Sequence, residues 1–162
     1  MATNPAPGFA AHPEHRVETV PCAKRVRAMH GGETILDTQR AVVLRESGHI
    51  AVYYVPREDV AMDRLARTDH TTHCPYKGDA SYYTVSAGGS TAENAAWSYE
   101  TPFDACAGIA GWLSFYWKKI DHWFEEDEEV FVHARDPHVR IDILESHRPV
   151  EVRAGGEVVA RS

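Results

Sequence analysis

The sequence predicts a mainly β protein of the α+β class, with antiparallel β-sheets and one main helix packed on them. Three observations carry this reading. Short segments that alternate apolar and polar residues recur along the chain, paired glycines stand between several of them, and only one stretch repeats its apolar residues at three- and four-residue steps. A chain of 162 residues is long enough for one domain with a core that needs no staples.

Residues 1–15 are rich in Pro and Ala without periodicity, the composition of a disordered lead-in. A single β-rich domain is expected over 16–135. Its first strands are Arg16 to Val20, Lys24 to Ala28 and Glu33 to Leu36, and Gly31-Gly32 supplies the positive φ that a tight hairpin between the last two requires. Further strands are expected at Ala41 to Arg45, His49 to Val55, Ser81 to Ser86 and Glu93 to Tyr99, the last two joined through Gly88-Gly89. The helix is expected from Thr101 as N-cap, with Pro102 at the first helical position and Asp104 complementing the dipole. Phe103, Cys106, Ala110, Leu113 and Trp117 form its apolar stripe, and Gly108 and Gly111 allow close approach to a sheet. A second helical turn over Ile120 to Phe124 leads into the acidic run Glu125 to Glu129, which reads as a solvated face, with cation binding as the alternative.

Residues 136–162 read as a partial repeat of the N-terminal hairpin. At an offset of 124 residues, Arg16 matches Arg140, Val26 matches Val150, Gly31-Gly32 matches Gly155-Gly156 and Glu33 matches Glu157, with Val17/Ile141, Glu18/Asp142, Lys24/Arg148 and Ile35/Val159 as similar pairs. An isolated two-stranded hairpin is marginal in water, so this copy is expected to be ordered on a host sheet edge, on the same chain or across the two-fold axis of a homodimer.

With 17 Lys and Arg against 24 Asp and Glu, the formal charge of −7 repels phosphate and argues against nucleic acid and anionic membrane as partners. The N-terminus lacks a basic region followed by an apolar one, and no apolar run reaches the roughly 18 residues of a membrane span. Cys22, Cys74 and Cys106 are odd in number and widely spaced, which suits neither a disulfide framework nor paired zinc ligands. A cytoplasmic, reducing location is the expectation.

The chemistry concentrates in DHTTHCPYKGDASYY, Asp69 to Tyr83. Pro75 pushes Cys74 toward extended backbone, so Thr72, Cys74 and Tyr76 should share one face and His73 the other. That separation breaks the apparent His70, His73, Cys74 ligand set, and no metal is expected. Cys74 is either a nucleophile activated by Lys77 or a nearby histidine such as His73, or a small buried hydrophobe. Lys77-Gly78 reads as a turn that presents an ammonium and backbone N–H groups to an anion, or as plain surface. Arg57 is a second candidate cation, with Glu58 and Asp59 as its alternative partners. Tyr53, Tyr54, Tyr76, Tyr82, Tyr83, Trp97 and Tyr99 are candidate pocket walls, although strand alternation turns half of the aromatics toward the core.

YYVPREDV at 53–60, TTHCPYKGDASYY at 71–83, ENAAWSYE at 93–100, GIAGWLSFYW and WFEEDEEVFVHARDP together resemble the family catalogued as domain of unknown function 427, over nearly the whole chain from Arg16 onward. The resemblance implies tent-like β-sheets, related in architecture to methionine sulfoxide reductase B and to zinc-bearing proteins of that shape, whose paired C-x-x-C ligands are missing here. The family is sometimes filed with nucleotidyltransferases, but the Gly-Ser followed by a D-x-D carboxylate pair is absent, and the resemblance transfers no catalytic residue. Taken together, the residues point to a small-molecule, anion-preferring pocket around Cys74, Tyr76, Lys77, Arg57 and Trp97, with no cofactor specified. A binding or assembly module and a redox protein are the alternatives.

Overall fold

The structure, a computed structural model, describes residues 3–135, 143 and 145–162. A single helical turn, α1 (Gly8–Ala11), precedes the strands β1 (Val17–Pro21), β2 (Val26–His30), β3 (Glu33–Thr38), β4 (Val42–Glu46), β5 (Val52–Tyr54), β6 (Leu65–Cys74), β7 (Gly78–Ala87), β8 (Ser90–Tyr99), β9 (Leu113–Phe115), β10 (His122–Glu125), β11 (Glu128–Glu129), β12 (Glu151–Ala154) and β13 (Glu157–Arg161). They form antiparallel sheets in the orders β1-β4-β5, β11-β10-β2-β3, β6-β7-β8-β9 and β12-β13. The protein is mainly β, with few helices. Among the described residues no helix is long and apolar enough to cross a membrane.

The β1-β4-β5 sheet explains why the sequence runs VVL and VYYV instead of alternating. Val43 lies opposite Tyr53 and Leu44 opposite Val52, so one face sends Val43 and Tyr53 into a core with Val26, Ile35, Leu113 and Trp123. Its other face sends Leu44 and Tyr54 into a second cluster with Tyr82, Tyr99 and Ile109. A strand buried on both faces reads as a continuous apolar run. Mutual backbone hydrogen bonds of 2.9 Å between Val55 and Leu113 join this sheet to β9.

That junction displaces the expected helix. From Thr101 to Trp117 the chain makes a 3₁₀ segment, Asp104–Ile109, broken at Cys106 (φ −118°, ψ 17°), and then the strand β9. Gly111 sits at φ +72° and donates its N–H to Tyr99 O, which brings Leu113–Phe115 alongside β8. Sheet hydrogen bonds and the fully buried Leu113 outweigh a helical preference already weakened by two glycines. The second expected helical turn is likewise a strand, β10, paired with β2. The acidic run is not a solvated face. Glu125 is 0% exposed, where it accepts from Lys24 Nζ (2.6 Å), Tyr53 Oη (2.5 Å) and the Arg135 N–H (3.1 Å). Glu126 is buried against Arg148.

Residues 3–15, expected as a disordered lead-in, are instead docked, with the Gly8 N–H donating to Pro75 O at 2.9 Å. At the other end, β12-β13 reproduces β2-β3. Both hairpins carry a register shift at the equivalent position, Ala28/Met29 and Val152/Arg153, and both turn through two positive-φ glycines. The matches at Arg140, Ile141 and Asp142 lie outside the described residues.

The turns Gly31-Gly32 and Gly88-Gly89 pack against each other: a Cβ on Gly88 would meet Gly31 O at 1.7 Å, whereas one on Gly89 meets nothing within 4 Å. Gly88→Ala should therefore lower stability by about 3 kcal/mol or more, through overpacking added to left-handed strain. Gly89→Ala should cost about 1 kcal/mol, the strain alone; urea unfolding of both variants measures the contrast.

Candidate functional site

Strand β6 ends at Cys74, Pro75 stops the ladder, and Gly78 at φ +105° opens β7. The turn between them directs the Lys77 side chain inward. Its ammonium pairs with Glu46 at the end of β4, and both side chains are about nine-tenths buried. Glu46 also lies 3.3 Å from His15 Nε2. The His15 ring stacks on Tyr76 at 3.7 Å with an interplanar angle of 9°, while Phe9 meets Tyr76 edge-on at 5.1 Å. The N-terminal segment thus holds the turn from behind.

In front of the turn is a cavity of about 320 Å³. Cys74, Lys77 and Glu46 line one end, and Tyr54, Tyr82, Trp97, Tyr99 and Tyr116 form the wall. The wall is cross-braced. Trp97 Nε1 donates to Tyr54 Oη at 2.9 Å, Tyr82 Oη is bonded to Thr72 Oγ1 at 2.9 Å, and the Trp97 and Tyr116 rings lie 4.7 Å apart. Lys77 Nζ stands 6.0 Å from the Tyr99 ring centroid, within reach of a cation–π attraction.

Burial raises the Tyr54 and Tyr99 hydroxyls, and Tyr116 is pushed up to about 12 by burial and by its hydrogen bond to Tyr82. These phenols stay neutral near pH 7 and offer hydrogen bonds, not charge. Burial pulls the Glu46 carboxyl upward, but the hydrogen bond and charge of Lys77, with His15, more than offset it and hold the group below its ordinary value. Of the other two thiols, Cys106 is pushed up to about 11 by burial, and Cys22 is raised for the same reason.

Cys74, Lys77, Tyr82 and Trp97 are brought together here; His73, Tyr76, Tyr53 and Arg57 are not. His73 faces away and bonds Asp79 at 2.6 Å, as alternation along β6 requires. Tyr76 lies behind the turn. Tyr53 is in the main core with its hydroxyl on Glu125, because its strand neighbour Tyr54 takes the face toward the cavity. Arg57 does not line the cavity; it donates to Glu100 (2.7 Å), Tyr83 Oη (3.0 Å) and Gly111 O (3.0 Å). Neither expected partner holds it, and Asp59 pairs with Arg40. Tyr54 and Tyr99, also among the candidate wall aromatics, do line the cavity, whereas sequence reasoning missed Glu46, His15 and Tyr116. Glu46 lies in RESGH, where nothing local distinguishes it from a surface carboxylate, and only the fold brings it to Lys77 across 31 positions.

Residues 18–126 match the family model described as Domain of unknown function (DUF427). The chain belongs to the DUF427 family. No curated protein matches it. The DUF427 match spans every residue named as lining the cavity, whereas His15 and the β12-β13 hairpin lie outside it.

Because the folded Glu46 carboxyl is held low, its contribution is complete above the unfolded value near pH 4.3 and is lost as pH falls through the folded one. Glu46→Gln should cost about 2 kcal/mol at pH 7, less than a fully enclosed pair because the site borders an open cavity. The gap from wild type should close below pH 4 in urea unfolding.

Proposed function

We propose that the DUF427 cavity binds a small molecule with an apolar, ring-bearing body and an acidic head, and that Cys74 is its reactive group. One observation supports this most strongly: a thiol, a buried Lys–Glu pair and five aromatic rings share a single cavity. The wall takes the body by ring contact. Lys77 donates to Glu46 among the described residues, and an ammonium carries three N–H groups, so two remain for an incoming acidic oxygen. An electrophilic carbon held beside Cys74 would take the sulfur electron pair, with the displaced π pair moving onto an oxygen facing Lys77 and the thiol proton released beforehand to water.

Iodoacetamide labelling of the native protein at pH 7, read by peptide mass, tests the cysteine assignment. Cys74 should label at least about tenfold faster than Cys106, whose raised thiol leaves little thiolate. Equal rates would remove Cys74 as the reactive group.

A second reading, assembly through the C-terminal hairpin, has its own observation. Val26 and Ile35 are fully buried in β2-β3, but their counterparts Val150 and Val159 are exposed, as are Val152 and Val158. A second molecule is the proposed cover, forming a homodimer. Full-length protein should sediment as a dimer and the Val152→Ser/Val159→Ser variant as a monomer; a monomeric wild type refutes this reading.

A further inference from the structure

A second cavity adjoins the Cys74 cleft, sharing Ile50, Val52, Trp97 and Tyr116 with it, but differs from it in kind. Its volume is about 280 Å³, within reach of the smaller ligand pockets of proteins. The floor is aromatic and rigid. Trp117 and Trp123 stack at 4.5 Å with an interplanar angle of 14°, and the Tyr53 ring lies 6.4 Å from each. Tyr53 and Trp123 are buried, so these rings are fixed by the core. Trp117 is half-buried, so its ring, backed by these fixed rings, offers a preorganised flat face that favours a planar ring over a flexible chain because little order must be imposed on binding.

The rim shows that this is not an ordinary packing gap. Ile50 and Val132 stand at the mouth 65% and 70% exposed, large apolar side chains held in water. Val132 also sits at φ +80°, a conformation that a β-branched residue adopts only under strain. The cost of exposing these side chains falls if an apolar ligand covers the mouth. The polar groups on the lining then decide what else that ligand carries.

Apart from the phenol and indole groups of its aromatic residues, those groups are Lys118 and His133. Lys118 has no ion pair or hydrogen bond among the described residues, in contrast to Lys77, which Glu46 already holds. His133 donates from Nδ1 to Ala134 O at 2.7 Å, which leaves Nε2 as its remaining polar atom. Among the described residues no carboxylate lines the cavity. An aromatic floor with an unpaired ammonium and no opposing acid is complementary to a ring bearing a single negative charge.

We infer that this cavity is a binding site for a small aromatic carboxylate, seated with its ring on Trp117, which Trp123 backs, and its carboxylate toward Lys118. It is distinct from the adjoining Cys74 cleft in that neither Cys74 nor Lys77 lines it. The site needs no chemistry at Cys74.

Calorimetric titration of the full chain with 1-naphthoate, its neutral analogue 1-naphthalenemethanol and the aliphatic octanoate tests each part. Saturable binding of 1-naphthoate is expected, at least about tenfold tighter than that of either comparison compound. Lys118→Met, a change at a side chain without partners, should weaken 1-naphthoate by about tenfold and leave the neutral analogue unchanged. Carboxymethylation of Cys74 should leave 1-naphthoate binding intact. Absence of saturable binding, or an unaltered affinity in Lys118→Met, would overturn the site. Equal binding of octanoate would overturn the aromatic assignment, and loss on carboxymethylation would move the binding to the other cleft.

Discussion

The burial of β4 and β5 on both faces is the constraint on which the rest of this structure depends. A strand with one wet face needs a single core, but Val43 and Tyr53 point one way and Leu44 and Tyr54 the other, so two clusters must be built around one sheet. The β6-β7-β8-β9 sheet and the 3₁₀ segment enclose the second cluster, and the β11-β10-β2-β3 sheet helps to enclose the first. The Cys74 cleft opens where the enclosure of the second cluster stops. Its wall is the edge of that cluster, which is why its rings are rigid and braced.

Two buried carboxylates mark the ends of this arrangement. Glu125, in the first core, is satisfied by Lys24, Tyr53 and a backbone N–H, and so acts as a polar tie between β10, β5 and the Lys24 segment. Glu46 does the corresponding work for the second cluster through Lys77 and His15. A buried charge without a partner costs several kcal/mol, so each pair fixes the relative position of the segments that carry it. The difference lies in position: Glu125 has no exposed surface, while the Lys77–Glu46 pair lies on a cavity wall.

Several features were legible because they are local. The glycine pairs at 31–32, 88–89 and 155–156 announce positive-φ turns, and all three are turns between antiparallel strands. Pro75 after Cys74 signals extended backbone, and alternation then separates His73 from Cys74, as their different partners show. The internal repeat was legible as well, down to two hairpins with an equivalent bulge. The helix over Thr101 to Trp117 was misread because its spacing also fits a 3₁₀ segment followed by a short strand, and the pairing of Leu113 with Val55 lies 58 positions away in sequence.

The sequence by itself determined the mainly β class and the turns, which are set by neighbours within a few residues, and the family, which is carried by motifs spread along the chain. Tertiary structure decided which side chains meet. A tyrosine pair such as Tyr53-Tyr54 reads identically at both positions, yet sheet pairing assigns one to Glu125 and the other to the cavity. Likewise, the ammonium of Lys77 looks like a free anion seat until the fold delivers Glu46 to it, and Lys118 comes to line a cavity with Trp117 and Trp123. Charge partners and pocket faces depend on contacts between residues distant in the chain, and local patterns carry no information about those distances.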